Sequence, residues 1–287
     1  MKKLVFLLIF IGRFAVGQPI HVSSYNVRYA NAADEQHGNG WNRRCAPICD
    51  LIAYEAFDLV GMQEVLKNQL DDLMARLSSD YACIGGGRDD GKTAGEYAPI
   101  LYRKERFDLL GSGLFWLSQT PDRPSVGWDA KYPRICTWVR LRDRTSGKTL
   151  FFLNTHFDHV GENARLESAR LLAGWIERHG KGGAVVLTGD FNVDQRSPSY
   201  RELLKAGVLS DSYQVASVRM APNGTVNGFD PGKWSDRRID HVLVTPGVEV
   251  LRYGLLTDVY WASDSSGSPV VRTLSDHYPV SVYLRIP

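Results

Sequence analysis

Short apolar segments that end in acidic, amide or imidazole side chains recur along the whole of this chain. The endings are Asn26 after SSY, Glu64 after LVGMQ, His156 in FFLNTHFDH, Asp190 and Asn192 in VVLTGDFN, Asp240 in RRIDHVLV, and Asp276 and His277 before YPVSVYL. A strand on a rigid scaffold can present a side chain to a cleft at the point where it ends. A single acid there is more often a cap or turn former, so the prediction depends on the whole set.

These side chains indicate a metal site if the strand ends converge. Several carboxylates in one cleft repel each other unless a cation lies between them. A hard divalent ion with oxygen ligands, Mg²⁺ or Mn²⁺, removes that conflict. The sequence therefore predicts a divalent-metal site built on strand ends.

The periodicity of apolar residues predicts more strands than helices, with helices between strands in both halves of the chain. The predicted strands are 20–28, 58–65, 81–84, several within 98–157, 184–188, 238–245 and 278–285, and the predicted helices are 42–57, 68–77, 162–179 and 199–206. This order favours an α/β (α+β) fold in which sheets carry helices on their outer faces. No linker divides residues 18–287, so we expect a single domain there.

Residues 1–17 have the features of a secretory signal peptide. Two lysines precede an apolar run over 4–11, and small residues end the segment at Gly17. The alternative is an N-terminal membrane anchor, but the run is too short to span a bilayer and Arg13 interrupts it. We expect cleavage after Gly17, no stable membrane insertion, and an exported protein that is periplasmic or extracellular.

The charge balance changes once residues 1–17 are removed. The whole chain has 34 basic and 32 acidic residues, a net charge of +2. The signal segment holds three basic residues and no acid, which leaves 31 basic against 32 acidic residues and a net charge of −1. Proteins that grip nucleic acid by its phosphates usually have a clear basic excess. Nucleic acid is therefore an alternative substrate that the charge does not favour.

Four cysteines, at positions 45, 49, 83 and 136, allow three complete disulfide connectivities, between which the sequence does not choose. An exported protein can form disulfides. Cys45 and Cys49 are four residues apart on a predicted helix, so they lie on one face. Zinc sites use tighter pairs such as C-x₂-C, and none occurs here. We expect buried free thiols or one structural disulfide.

Five segments resemble the endonuclease/exonuclease/phosphatase superfamily, and they occur in the family's order. They are GMQEV at 61–65, NTHFDH at 154–159, TGDFN at 188–192, RRIDHVLV at 237–244 and SDHYPV at 275–280. The family includes pancreatic deoxyribonuclease, exonuclease III, neutral sphingomyelinases, inositol polyphosphate 5-phosphatases and nocturnin-type deadenylases. The resemblance covers about residues 20–285 and implies a four-layer αββα sandwich, in which two packed mixed β-sheets are flanked by helices.

The resemblance implies that three residues hold the metal. Glu64 would be the principal ligand, Asn26 would support the metal and a phosphate oxygen, and Asp276 would hold the metal or its water shell. The exonuclease III branch has an acid two residues after the first Asn, and here that position is Arg28. This departure argues against an abasic-site role and weakens the case for a second protein-held metal.

The resemblance also assigns catalytic roles. Asp190, helped by Asn192, would orient or deprotonate the attacking water. His277, paired with Asp240, would contact the scissile phosphate, and His156 would lie beside it. These roles agree with elementary chemistry, because a carboxylate can act as a base and a protonated imidazole offsets charge in the transition state.

Candidate substrate contacts are Asn26, Arg134 in YPRICTWV, Asn154 in NTHFDH, and Arg165 at the start of the helix 162–179. Arginine binds phosphate well, but a strand-edge role for Arg134 and surface pairing for Arg165 remain open. The polar segments 88–97 and 222–236 can frame a substrate, and the second contains Trp234. Ordinary surface loops are the alternative for both.

These observations predict Mg²⁺- or Mn²⁺-dependent hydrolysis of a phosphate ester, by in-line attack of a metal-oriented water, in a monomer. The near-neutral charge favours a small or lipid-derived phosphodiester, or a phosphomonoester. A secreted nuclease of the same fold is the alternative among enzymes. A non-catalytic homologue that binds a phosphorylated ligand is the alternative outside enzymes, and the complete polar set argues against it.

Overall fold

The computed structural model describes residues 18–264 and 266–287, so the predicted signal peptide over 1–17 lies outside the described residues. The strands are β1 (Ile20–Asn26), β2 (Leu59–Gln63), β3 (Tyr81–Ile84), β4 (Ile100–Arg103), β5 (Phe107–Trp116), β6 (Ile135–Asp143), β7 (Thr149–His156), β8 (Ala184–Asp190), β9 (Ser210–Asp211), β10 (Val218–Met220), β11 (Asp240–Val244), β12 (Glu249–Leu255), β13 (Val259–Ser263), β14 (Pro269–Thr273) and β15 (Val280–Arg285). The helices are α1 (Ala32–Gln36), α2 (Trp41–Glu55), α3 (Lys67–Leu77), α4 (Glu162–His179), α5 (Pro198–Leu203) and α6 (Ser212–Val215), with a 3-10 helix at Lys205–Gly207.

Two large mixed sheets form the centre of the fold. The first has the strand order β10-β12-β15-β1-β2-β4-β3, and the second has the order β5-β6-β7-β8-β11-β9. A two-stranded hairpin, β13-β14, stands apart from both. The apolar core between the sheets includes Val22 of β1, Phe152 of β7 and Val186 of β8.

Helices cover the outer face of each sheet. Ile48 of α2 and Leu73 of α3 are buried against Tyr25 on the outer face of the first sheet. Leu172 of α4 and Leu187 of β8 are buried together on the outer face of the second sheet. The arrangement is the four-layer αββα sandwich with two mixed sheets, which confirms the expected fold class.

Strand alternation decides which side chains face the space between the sheets. Successive side chains of a strand point to opposite faces, so Val22, Ser24 and Asn26 share the inner face of β1. On β8 the inner face carries Thr188 and then Asp190, and all five side chains are buried. Along both strands the inner face therefore changes from apolar to polar toward the carboxyl end.

The strand directions bring these polar ends to one edge of the sandwich. β1 runs parallel to β2, and β7 runs parallel to β8, so the carboxyl ends meet within each sheet. β11 runs antiparallel to β8, and its first residue Asp240 pairs with Asp190. β15 runs antiparallel to β1, so the segment 276–277 that precedes it reaches the same edge.

The predicted elements are confirmed, although several strand bounds differ at the polar ends, and the strand predicted over 184–188 continues to Asp190. The helix predicted over 162–179 and the strand predicted over 81–84 have the predicted bounds. The strand predicted over 20–28 ends at Asn26, and the strand predicted over 58–65 ends at Gln63. In both cases the chain turns sharply after the last paired residue.

The cysteines of the structure are free thiols, and Cys45 and Cys49 are buried on α2 as expected. In the described ranges 18–264 and 266–287, no helix combines the length and apolarity that crossing a membrane requires.

Candidate active site

A polar cleft of about 580 Å³ opens at the edge where the strand ends meet. Its walls are formed by Arg28, Tyr29, Glu64, Arg88, Glu96, Lys131, Tyr132, Arg134, His156, His159, Asp190, Asn192, Asp276 and His277. Asn26 and Asp240, which the sequence also predicted, lie directly behind this wall and bond to residues in it. The structure therefore brings the predicted metal ligands and catalytic residues together in one place.

Three residues of the cleft adopt left-handed backbone conformations just after a strand ends. The φ angles are 58° at Arg28, 62° at Glu64 and 51° at Asn192. Such a conformation costs a residue with a side chain about 1–3 kcal/mol and is common where function imposes it. Each turn directs the side chain into the cleft instead of onward along the sheet.

Asn26 joins the two sheets at the floor of the cleft. Its Nδ2 donates to Glu64 Oε1 at 3.0 Å and to Asp190 Oδ2 at 2.9 Å. Its Oδ1 accepts from the backbone N–H of Arg28 at 2.9 Å, which fixes the direction of the amide. The other oxygen of Glu64 accepts from the backbone N–H of Tyr29 at 3.2 Å. Both carboxylates are thus held in place by donors from β1 and the turn that follows it.

His277 forms a buried pair with Asp240 across the strand ends. Its Nδ1 lies 2.9 Å from Asp240 Oδ2, and its Nε2 lies 3.9 Å from Asp190 Oδ2. Burial alone would lower the pKa of His277, but the Asp240 carboxylate and its hydrogen bond raise that pKa well above the ordinary value. The imidazole is therefore protonated at neutral pH and presents an N–H at Nε2.

The carboxylates of the floor are buried, and burial is the main cause of their raised pKa values. Burial and then repulsion from Asp240 raise the pKa of Asp190 to about 7, although His277 acts in the opposite direction. Burial raises the pKa of Asp276, and the neighbouring Glu64 raises it further. One ligand atom each of Glu64, His156 and Asp190 lie within 4.8 Å of one another. The carboxylates of Glu64, Asp190 and Asp276 offer the hard oxygen donors that Mg²⁺ or Mn²⁺ prefers.

His156 is held as a neutral imidazole on the opposite wall. Asn192 Nδ2 donates to Phe157 O at 2.9 Å and to His156 Nε2 at 3.0 Å, so Nε2 is an acceptor and Nδ1 carries the proton. Burial, followed by the charges of Arg134 and Arg88, lowers the pKa of His156 well below its ordinary value. Because the amide nitrogen of Asn192 is bound to protein, its Oδ1 is left to face the cleft.

Glu96 completes this wall, and sequence reasoning missed it. Its Oε2 accepts from Arg88 Nη1 at 2.8 Å and lies 3.9 Å from His156 Nδ1. The only sequence signal was its place in the polar segment 88–97, which pointed to a substrate-framing loop but to no particular residue. Lys131 and Tyr132 were also missed, because they stand in an irregular segment without a recognisable motif.

Arg134 lies in the cleft, as predicted. The side chain is 5% exposed, and its Nη2 lies 3.0 Å from His159 Nδ1. Its Nε donates to Asp158 Oδ2 at 3.4 Å, while Nη1 has no partner among the described residues. Nη1 is shielded from the cleft, but a guanidinium in the wall of a polar cleft is a suitable partner for an anion.

Two predicted substrate contacts are corrected by their placement. Asn154 is fully buried, and its Nδ2 donates to Met62 O at 2.6 Å and to Pro99 O at 3.0 Å. Its Oδ1 accepts from Gln63 and Thr188, so it bridges the sheets beneath the site.

Arg165 is the second correction. Its Nη1 donates to the carbonyl of Asp158 at 3.0 Å, and it lines a separate surface pocket with Asp129 and Ser199. A side chain engaged in that way supports the loop after β7 and does not reach the wall of the cleft.

Two solved structures of bacterial proteins are similar to this chain over nearly its whole length. The first is an endonuclease/exonuclease/phosphatase family protein of Bacteroides thetaiotaomicron. It is 45% identical to this chain with a TM-score of 0.91, and the match covers 93% of this chain and 98% of that protein. A second protein of that organism, a mannosyl-6-phosphatase, is 46% identical, with a TM-score of 0.90 over 93% of this chain and 99% of the other.

Among curated proteins, an uncharacterised protein of Acanthamoeba polyphaga mimivirus is 29% identical over 163 residues, which span 54% of this chain and 60% of that protein. The chain thus spans less than two thirds of that relative. The sequence profile of the Endonuclease/Exonuclease/phosphatase family matches residues 23–277, which include every predicted metal ligand and catalytic residue. This chain belongs to the Endonuclease/Exonuclease/phosphatase family.

Proposed function

We propose that this protein is a divalent-metal-dependent phosphatase that acts on a sugar phosphate. The observation that carries the proposal is the composition of the cleft, whose lining includes no aliphatic side chain and is charged or polar apart from the rings of two tyrosines. Pockets for apolar ligands are lined mainly by hydrophobic side chains. A lipid tail would find no such wall here, which disfavours the lipid-derived substrates that the sequence had left open.

The tyrosines of the cleft are poorly placed to stack on a nucleobase. The guanidinium of Arg28 lies 4.8 Å from the ring centre of Tyr29, and that of Arg88 lies 4.8 Å from the ring centre of Tyr132. Proteins that bind single-stranded nucleic acid use free aromatic faces as stacking platforms. Each ring has one face taken by an arginine, which leaves at most one face of each ring for a base.

The mannosyl-6-phosphatase of Bacteroides thetaiotaomicron supports the choice of a hexose phosphate, since it is 46% identical over nearly its full length. A terminal phosphate monoester carries close to two negative charges at neutral pH. Arg134, protonated His277 and a bound cation would together offset that charge.

The residues that would hold the cation are Glu64 and Asp276, with Asn26 in support. When bound, the ion supplies a Lewis acid that neutralises phosphoryl oxygen charge. Asp276 Oδ2 also lies 3.6 Å from Arg28 Nη1, so Arg28 occupies space next to the acidic floor. This placement favours one protein-held ion over two.

The chain's own groups then carry out the proton transfer and stabilise charge. Asp190, with its raised pKa, accepts the proton of the attacking water as the water oxygen bonds to phosphorus, and Asn192 Oδ1 orients that water. The P–O bond to the sugar breaks, and the sugar oxygen leaves as a hydroxyl group with a proton taken from solvent. His277 donates from Nε2 to a phosphoryl oxygen, while Asp240 keeps the imidazole protonated and in position. His156 and Arg134 lie beside the phosphate on the opposite wall.

We also propose that the protein is exported and works as a monomer of residues 18–287. The features of residues 1–17 support export to the periplasm or the extracellular space. The complete set of catalytic side chains within one chain supports a site that needs no second subunit.

A substrate panel tests the proposal. The purified protein is assayed with mannose 6-phosphate, glucose 6-phosphate, bis(p-nitrophenyl) phosphate and plasmid DNA, each with Mg²⁺, Mn²⁺ or EDTA. We expect phosphate release from a hexose phosphate, its loss in EDTA, and little cleavage of DNA. Efficient plasmid cleavage at physiological salt would support the secreted nuclease instead, and hydrolysis of none of the four would support the non-catalytic phospho-ligand-binding homologue.

A further inference from the structure

A second pocket, of about 490 Å³, lies outside the catalytic cleft. It is lined by Gln195, Tyr213, Gln214, Ala221, Pro222, Asn223, Trp234, Ser235, Asp236 and Arg238. Trp234 is 72% exposed, although an indole is among the most favourable side chains to bury. Large exposed aromatic surface beside a pocket is characteristic of a binding site.

The backbone on both sides of the exposed Trp234 is held by hydrogen bonds. Asn223 Nδ2 donates to the carbonyl of Lys233 at 2.9 Å, and Asn223 Oδ1 accepts from the N–H of Ser235 at 2.6 Å. One amide therefore fixes the residues immediately before and after Trp234. The loop presents the tryptophan to solvent as a fixed feature and not as the tip of an unsupported segment.

The charges at this pocket are already paired within the protein. Arg238 Nη1 donates to Asp211 Oδ2 at 2.9 Å, and its guanidinium lies 3.8 Å from the ring centre of Tyr213. Asp236 Oδ2 accepts from Arg196 Nη1 at 3.0 Å. The pocket thus offers a flat aromatic face and polar side chains without a free net charge, which suits a neutral ligand rich in hydroxyl groups.

The pocket adjoins the active site along the chain. Arg238 precedes Asp240 by two residues, and Gln195 follows Asn192 by three. Two extended residues span at most about 7 Å. Gln195 Nε2 donates to Asp236 O at 2.9 Å and its Oε1 accepts from Arg238 N at 3.1 Å, so it joins the two segments that leave the catalytic edge.

We infer that this pocket binds a second, neutral pyranose unit, linked to the phosphorylated sugar that occupies the catalytic cleft. A pyranose ring has C–H groups on its faces, which pack on an indole, and hydroxyl groups at its rim, which bond to amides. The inference rests on the proposed function and extends it from a free sugar phosphate to a phosphorylated glycan. Trp234 is then a specificity determinant and takes no part in the chemistry.

The test compares mannose 6-phosphate with α-mannobiose phosphorylated at C6 of one unit. The wild-type kcat/KM for the disaccharide is expected to exceed that for the monosaccharide by about 5–10-fold, the effect of one well-packed aromatic contact. The gain is expected in KM, because a contact made equally in the ground and transition states changes binding and not kcat. Trp234→Ala is expected to reduce this ratio of kcat/KM values to about one.

Trp261→Ala is the matched control, since Trp261 is 71% exposed on β13 and does not line the pocket. It is expected to keep the wild-type ratio. Calorimetric titration with unphosphorylated mannobiose measures binding without turnover. We expect binding to the wild type and to Trp261→Ala, and none to Trp234→Ala.

The outcomes separate the two proposals. Hydrolysis of both substrates with equal kcat/KM, or a ratio that Trp234→Ala leaves unchanged, overturns the second pocket and leaves the phosphatase standing. Hydrolysis of neither substrate overturns the proposed function, and the inference with it.

Discussion

Asp240 Oδ2 lies 2.9 Å from His277 Nδ1, and both side chains are buried at the edge where the two sheets present their polar ends. The two sheets bring the pair together. Asp240 is the first residue of β11 in one sheet, and His277 lies just before β15 in the other. A β-bridge between Val226 and His277 fixes the backbone that carries the imidazole. Because Nδ1 of His277 is bound to Asp240, Nε2 is the ring nitrogen that faces the cleft.

The first prediction is that Asp240→Asn lowers kcat by about 100-fold or more, since orientation and charge of a catalytic imidazole are both lost. Asp240 raises the pKa of His277 against the effect of burial, so removing its charge lowers that pKa. Activity that requires protonated His277 will then fall at a lower pH than in the wild type. The kcat–pH profile on a hexose phosphate measures both effects.

The exposed Asp122→Asn is the matched control for that change and is expected to behave as wild type. Circular dichroism checks that the Asp240→Asn protein folds. If that protein loses activity at the same alkaline pH as the wild type in the kcat–pH profile, the role assigned to Asp240 is wrong.

The second prediction concerns Glu96, which links Arg88 to His156. Glu96→Gln removes the charge that accepts from Arg88 and leaves the proton on His156 Nδ1 without its carboxylate neighbour. We expect kcat to fall about 10-fold, the order of a lost charged hydrogen bond in a buried site. The exposed Glu105→Gln should have no effect. Equal kinetics for both variants would show that Glu96 is only structural.

Much of the fold and most of the site could be predicted from the sequence. Apolar periodicity located the long helix 162–179 and the strands that end in polar residues. The resemblance of five segments to a known family implied that residues such as Glu64 and Asp190 share one site. The segments 207–237 and 246–277 were largely unassigned. β9 and β10 are short strands at sheet edges, and β13 and β14 form a hairpin outside both sheets, but β12 is a seven-residue inner strand that sequence reasoning missed.

The two site residues that the sequence misplaced or missed, Asn154 and Glu96, both depend on contacts between distant segments. Asn154 was expected in the cleft because it stands in a motif, but inner-face alternation puts it one layer deeper than His156. Gly61 faces it from β2, where an added Cβ would overlap the side chains of Asn154 and Thr188. Glu96 could not be identified because its importance depends on a long-range contact with β7. The spacing of residues along the sequence shows the periodicity within one helix or strand, but it says little about contacts between distant elements.

The third prediction is that a divalent ion stabilises the protein through Glu64. The carboxylates of the floor repel each other, and burial raises the pKa of Asp190 and Asp276. A ligand at 100 times its Kd adds about 2.7 kcal/mol to the free energy of unfolding, or about 5 °C in Tm for a protein of this size. Thermal unfolding in Mn²⁺ and in EDTA measures the difference.

Glu64→Gln is expected to abolish that dependence of Tm on the ion, because an amide is a poor ligand compared with a carboxylate. The exposed Glu105→Gln is the control and should keep the shift. A Tm that is the same with Mn²⁺ and EDTA in the wild type would refute the metal site without reference to activity.

The fourth prediction concerns the pH dependence of stability and His21, which lies outside the active site on β1. Its Nε2 lies 2.8 Å from Ser281 Oγ, its Nδ1 lies 3.0 Å from the carbonyl of Glu55, and its ring stacks on Tyr283 at 3.9 Å. Burial lowers the pKa of His21 from 6.5 to about 4, although the bond to Glu55 opposes this.

Between those two pKa values the unfolded chain binds a proton at His21 that the folded protein does not bind. The contribution of His21 to the free energy of unfolding is therefore complete above pH 6.5 and is lost as the pH falls toward 4. The loss approaches about 3 kcal/mol, from a shift of two to three pKa units. His21→Gln is expected to be less stable at pH 7, but to lose less stability than wild type between pH 6.5 and pH 4.5. Urea unfolding at several pH values measures this, with the exposed His37→Gln as control. Parallel curves for wild type and His21→Gln would show that His21 does not cause the acid sensitivity.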